Sequence, residues 1–147
     1  MASVREDIMA RLLVLLGQLS GVTLVARNLD EIPDTKLPAA ILYDGDEAAS
    51  DNPRATSGKP TVVHATPVIV IDLGDVPENV GTVTNEWLAE VQSIILLDPV
   101  LETMCGDFST AGAHYGGAET SLHPGRTTHV VLTVNFIIGY HLKPWEL

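Results

Sequence analysis

The chain has 147 residues, of which 46% are hydrophobic and 18% charged. This length suits one domain that buries roughly 68–70% of its unfolded surface, and the composition argues against wholesale disorder. The formal net charge of −11 excludes the basic surface with which nucleic-acid-binding proteins displace counterions.

The first part of the chain predicts a helix followed by two strands. Ser3 and Glu6 have the spacing of a capping box, and apolar residues then recur at helical intervals, which predicts a helix over residues 4–19. Weak alternation over residues 22–27 indicates a short strand. The compact apolar run at residues 39–43 indicates a buried strand.

Residues 44–60 are predicted to form a long exposed loop, because they hold glycines, prolines and charges and almost no apolar residue. Loops longer than about 12–15 residues in compact domains are usually functional or disordered. We expect this loop to be an interaction element, mobile in the free subunit and ordered in an assembly; a passive surface loop is the alternative. The candidate interface residues are its charged side chains Asp46, Glu47, Asp51, Arg54 and Lys59.

A strand is predicted over residues 62–73, and Pro67 lies within it. Because proline cannot donate to a strand ladder, this strand is expected at a sheet edge or with a bulge. The second helix is predicted over residues 78–97, where Trp87 lies on an apolar face and is expected to be buried in the core.

The last third of the chain predicts a short helix and two strands. Asp98 and Pro99 have the order of an N-cap and a first helical residue, and the helix is expected to end near residue 104. A loop over residues 106–112 and a strand over residues 114–122 follow. The glycine pair at positions 116 and 117 indicates a bulge in that strand.

Residues 127–142 form the clearest predicted strand, because apolar residues alternate along its whole length. One face is apolar throughout and is expected to face the core. The other face mixes Val131 and Ile137 with polar residues. That face is expected either to pack against another subunit or to be covered by a helix.

The element order α-β-β-β-α-α-β-β predicts one α+β domain over residues 1–147. We expect a largely antiparallel or mixed sheet of about five strands, with helices packed on one face.

Motifs for catalysis or cofactor binding are missing from the sequence. The five histidines lack the paired spacing of a zinc site, although His123 and His129 flank a turn and could meet across it. Neither a nucleophile elbow nor a nucleotide-binding glycine loop occurs. We therefore predict no catalytic, cofactor-binding or metal-binding residue, and no enzyme activity.

The expected environment is a reducing cytoplasm. Cys105 is the single cysteine, so an intrachain disulfide is excluded. No apolar run approaches the roughly 20 residues that cross a bilayer, and acidic Glu6 and Asp7 precede the first apolar stretch, unlike a secretory signal.

Several segments resemble tail terminator proteins of long-tailed bacteriophages. They are VREDIMARLLVLLGQLSGVTLVARN, LPAAILYDGDEAA, ENVGTVTNEWLAEVQSIILLDPVLETM and YGGAETSLHPGRTTHVVLTVNFIIGYHLKPWEL, and together they cover nearly the whole chain. The resemblance implies a structural virion protein without catalytic residues.

What the resemblance implies about assembly is a homohexameric ring at the head-proximal end of the tail. Such a ring caps the tail tube protein, ends tube elongation and joins the tail to a neck protein of the head. DNA would pass through its channel without tight binding, in keeping with the acidic charge, and no membrane would be involved. The alternatives are a neck or tail-completion adaptor, and a small cytoplasmic enzyme with an unrecognised site.

Overall fold

The computed structural model describes residues 3–29, 34–49, 61–75, 79–107, 110–123 and 129–142. Within these residues the elements follow the predicted order. They are α1 (Val4–Leu16), β1 (Leu24–Arg27), β2 (Ala39–Ala49), β3 (Thr61–Asp75), α2 (Val80–Leu96), α3 (Pro99–Cys105), β4 (Gly112–His123) and β5 (His129–Leu142), with a 3-10 turn at Asp34–Lys36 before β2.

The five strands form one mixed sheet in the order β1-β2-β3-β5-β4. β1 runs parallel to β2, and each of the other neighbouring pairs is antiparallel. This confirms the predicted α+β class with a five-stranded mixed sheet. The packing of every helix on one face of that sheet stays a prediction.

The predicted helix caps are present. The Ser3 hydroxyl accepts a hydrogen bond from the Glu6 backbone N–H at 3.1 Å, and Asp98 caps α3 with Pro99 in its first turn. The first helix, however, ends at Leu16, not at residue 19. After Leu16 the chain continues in turns, closed by hydrogen bonds between residues three positions apart. Leu19 is nevertheless buried.

The core lies against one face of the central strands. Alternate residues of β5 from Val130 to Tyr140 are at most 1% exposed, as the alternation predicted. They form one cluster with the apolar side of α1, with alternate residues of β3, and with Val91 and Leu101 of the other two helices. Trp87 is half-buried at the margin of this cluster and not fully inside it.

The prediction of a loop over residues 44–60 is wrong for residues 44–49, which continue β2. Two residues of β2, Asp44 and Gly45, lie opposite the single residue Pro67 of β3, so the pair contains a β-bulge. β3 is a central strand, and Pro67 therefore satisfies the bulge alternative, not the edge alternative. Pro67 is tolerated in a central strand because proline has no N–H to donate, and the bulge interrupts the hydrogen-bond ladder at that position.

A second predicted bulge is confirmed in β4, where the register against β5 shifts between Tyr115 and Gly117. Gly117 has a φ of 116°, a conformation that glycine adopts without steric cost. β4 also begins at Gly112, inside the predicted loop, because its first residues pair with the far end of β5.

Candidate interaction surfaces

Beyond the bulge, residues 46–49 of β2 pair with residues 63–66 of β3 and form the arm of the β2–β3 hairpin. This arm carries the predicted interface residues Asp46 and Glu47, both exposed. The Tyr140 hydroxyl on β5 donates a hydrogen bond to the Glu47 carboxylate, so this carboxylate is already engaged within the chain. The Asp46 backbone N–H donates to the Thr66 hydroxyl at 3.3 Å. The other predicted interface residues, Asp51, Arg54 and Lys59, lie outside the described residues. The interaction role of the segment stays a prediction.

An ionic network fixes the base of this arm. The Arg27 guanidinium binds Glu6 at 2.7 Å and Asp44 at 2.7 Å, and Arg5 donates to the Gly45 carbonyl at 2.8 Å. Hydrogen bonds from Arg27 lower the pKa values of both carboxyl groups. The network therefore ties the start of α1 to β1 and to the bulge in β2.

A second ion pair joins α1 to α3. Arg11 makes two hydrogen bonds to the Asp98 carboxylate, at 2.9 and 2.8 Å, and the Leu101 N–H donates to the same carboxylate at 2.9 Å. The hydrogen bond from Arg11, with the backbone N–H, lowers the pKa of Asp98. Asp98 thus serves as both helix cap and interhelical tie.

These pairs leave a surface dominated by carboxylates. Arg11 and Arg27 are neutralised by partners in the same chain. Exposed acidic side chains are distributed over the helices, loops and strands: Asp7, Asp46, Glu86, Glu102, Asp107 and Glu119. A molecule that approaches the described part of the chain therefore meets mainly negative charge.

The sheet face opposite the core is covered at one end and open at the other. Near β2 it is covered, because Ile41 is fully buried and the Tyr43 hydroxyl donates to the Leu29 carbonyl at 2.8 Å. Towards β5 it opens, since Ile137 is 39% exposed and Val131 is half-buried. Half-buried valines of β3 adjoin this open area: Val62, Val68 and Val70.

The outer strand β4 presents a long sheet edge. Among the described strands it pairs with β5 alone. On its core-facing side Tyr115 is 41% and Leu122 is 56% exposed, although their β5 partners Phe136 and Val130 are buried. The Tyr115 ring meets Phe136 edge to face, with ring centroids 6.1 Å apart. The core therefore extends to this edge without being closed over it.

The helices carry a separate apolar patch between α1 and α3. A shallow depression there is lined by Asp7, Ala10, Arg11, Val14, Val100 and Met104. Leu97, in the turn before α3, is 78% exposed. The ionic groups at this depression are Asp7, which is exposed, and Arg11, which is bound to Asp98.

Within the described ranges, no group of three or more His, Cys, Asp or Glu side chains converges on a metal-sized site. His123 and His129 are partners in the β4–β5 register, as their sequence positions suggested. Cys105 is buried, and burial raises its pKa to about 11. No helix in the part of the chain that the structure describes is both long enough and apolar enough to span a membrane.

Comparison with known proteins adds no assignment. The chain matches no protein-family model, and no curated protein matches it.

The ionic networks and the open β4 edge are the features that the sequence pattern did not indicate. Arg27, Glu6 and Asp44 converge only because β1 pairs with β2 in parallel and α1 starts beside them. Such pairs have no sequence signature. The open edge depends on the order of the strands in the sheet, which follows from tertiary pairing.

Proposed function

We propose that this protein is a structural subunit of a phage tail, a tail terminator that assembles into a ring on the end of the tail tube. The observation that carries the proposal is the open sheet face around Ile137, where apolar side chains of β3 and β5 remain partly exposed. Contiguous exposed apolar surface on a folded domain is typical of a protein–protein contact. Subunit packing on this face is one of the two alternatives that the alternation of β5 left open.

The charge distribution supports the same role. A ring through which a genome passes must not hold DNA, and like charges on the channel wall and the phosphates repel. Because the arginines at positions 11 and 27 are paired within the chain, they offer little to a phosphate backbone. The acidic exposed side chains suit a passage that DNA slides through.

The first test is electron microscopy of the purified protein, alone and mixed with tail tubes of the encoding phage. The expected result is rings with a central hole, or caps on tube ends, with sixfold symmetry. Native mass spectrometry should give six times the mass of the 15.7 kDa chain. Protein that stays monomeric at every concentration and leaves tube ends bare would contradict the proposal.

The second test is genetic. If the protein ends tube elongation, phage lacking it should build tails of uncontrolled length that do not join heads, and supplying the protein should restore both. Normal-length tails that fail only at head joining would point to a neck adaptor instead.

The open sheet face has its own test. Ile137→Asp should weaken assembly, because it places a charge in an apolar contact, while leaving the fold intact at a position already exposed. Leu97→Asp is the matched control, since Leu97 is exposed in the turn before α3 and does not belong to the sheet. Equal effects of the two substitutions would remove the sheet face from the proposal.

A further inference from the structure

We propose that the arm of the β2–β3 hairpin opens and closes as a unit about the bulge at Gly45, and that a hydrogen bond between Glu47 and Tyr140 is the tether that holds it closed. The proposal concerns the free chain and does not depend on the proposed function. Opening of the arm would turn residues 63–66 of β3, which pair with it in the closed state, into a free strand edge.

The two halves of β2 are held in different ways. In the inner half, residues 39–42 are 0% exposed and pair with β1 on one side and with β3 on the other. The pairing with β1 ends at Leu42, and in the arm the side chains of residues 46–48 are exposed. Segments with few buried apolar contacts open locally at a lower free energy than the core. The arm should therefore open while the inner half stays closed.

The bulge supplies the pivot for this movement. Gly45 has a φ of 68°, which glycine adopts without steric cost, and the regular pairing of β2 with β3 is interrupted there. The chain at the bulge is itself fixed, because Arg27 binds the Asp44 carboxylate at 2.7 Å and Arg5 donates to the Gly45 carbonyl at 2.8 Å. Movement is therefore expected beyond Gly45 and not in the inner half.

The tether is a polar contact between the arm and the core. The Tyr140 hydroxyl on β5 donates to the Glu47 carboxylate across the intervening strand β3. Tyr140 is 0% exposed, whereas Glu47 is exposed, so this bond joins an exposed side chain to a buried one. A hydrogen bond to a charged group contributes more to stability than one between neutral groups, and water can replace it when the arm opens. The tether therefore favours the closed arm without making opening prohibitive.

The test is amide hydrogen exchange of the full chain, measured residue by residue by NMR. The Asp46 N–H points towards β3, since it donates to the Thr66 hydroxyl, and the Ala48 N–H points the same way because N–H directions alternate along a strand. We expect both amides to exchange at least about tenfold faster than the paired amides of residues 39–42. Their exchange should also depend less on denaturant, because local opening exposes little surface.

Two substitutions break the tether from its two ends. Tyr140→Phe removes the donor and keeps the buried ring, and Glu47→Ala removes the acceptor at an exposed position. Each should speed exchange of the arm amides about tenfold, as the loss of a hydrogen bond to a charged group implies. Agreement between the two variants would show that the bond, and not the packing of either side chain, controls the opening.

Tyr43→Phe is the matched control. It removes a hydroxyl that donates to the Leu29 carbonyl at 2.8 Å, on the other side of the bulge, and this bond stays intact when the arm alone opens. Tyr43→Phe should therefore leave arm exchange within about twofold of wild type, even where it lowers the free energy of unfolding of the whole chain. If the arm opened only with global unfolding, both tyrosine variants would speed its exchange.

Two results would overturn the proposal. One is arm amides that exchange as slowly as those of residues 39–42 and with the same dependence on denaturant. The other is arm exchange that Tyr140→Phe and Glu47→Ala leave unchanged. Neither result bears on the proposed ring, because both are measured on the free chain, whereas the ring is tested by microscopy of the assembly.

Discussion

Two glycine-to-alanine substitutions should change stability in opposite directions, because the two glycines occupy different conformations. Gly45 lies in the β2 bulge with a φ of 68°. A Cβ built there would be 2.0 Å from the Thr66 carbonyl oxygen and 2.8 Å from its carbon. Gly81, in contrast, is exposed in the first turn of α2, and a Cβ there meets nothing within 4 Å.

The magnitudes follow from these distances. For Gly45→Ala, the left-handed conformation costs about 1–2 kcal/mol. Moving the Thr66 backbone away adds about 1–3 kcal/mol, as for other overpacked sites. The expected loss is therefore about 2–5 kcal/mol, or roughly 5–15 °C in melting temperature at this chain length. Gly81→Ala should gain up to about 1 kcal/mol, since alanine favours the helix.

The assay is reversible urea unfolding of both variants and the wild type, followed by circular dichroism, with thermal melts in parallel. Unchanged slopes with denaturant would show that the midpoints report stability alone. A loss below about 1 kcal/mol for Gly45→Ala would refute the reasoning, because even the conformational cost at that position would then be absent.

Four further results are expected. Arg11 holds the pKa of Asp98 below its ordinary 3.8, so the ionised carboxylate stabilises the fold above about that pH and the contribution is lost as the pH falls through the folded-state pKa. The difference in the free energy of unfolding between wild type and Asp98→Asn should therefore become smaller as the pH falls. Burial raises the pKa of Cys105 to about 11, and a thiol reagent at mildly alkaline pH should label it only after unfolding. Trp87→Ala should lower the melting temperature, yet by less than Phe136→Ala, for which full burial implies about 3–5 kcal/mol. Gel-shift titrations should show DNA binding weaker than the roughly 10⁻⁴–10⁻⁶ M of non-specific binders, and a shift at low micromolar protein would contradict the reading of the acidic surface.

The elements that the sequence predicted best are those whose local signal and tertiary role agree. β5 alternates because one of its faces is core, and the Ser3 and Asp98 caps act within their own helix turns. The outer half of β2 escaped prediction because residues 46–49 are acidic or small. These residues are strand because they pair with β3, and a central partner outweighs weak intrinsic preference.

The candidate surfaces were less predictable than the fold. Ile137 is 39% exposed, whereas alternation alone left the choice between a covered and an open face, because it does not show what packs on that face. The predicted interface residue Glu47 is hydrogen-bonded to Tyr140, which lies 93 residues away in the chain. Long-range pairs of this kind carry no local pattern.

The bulge at Gly45 also changes whether the even-numbered or the odd-numbered residues of β2 face the core. Before it, even-numbered residues such as Leu42 face the core; beyond it, the odd-numbered Glu47 pairs with the buried Ala65 and takes that side. One extra residue thus decides which side chains of the arm point outward. Deleting Gly45 would leave Asp44 alone opposite Pro67, so the bulge would be lost while Asp46 still pairs with Thr66 and Glu47 with Ala65. A slip of the arm's register by one residue would exchange its inner and outer surfaces, whereas a slip of two residues would preserve them.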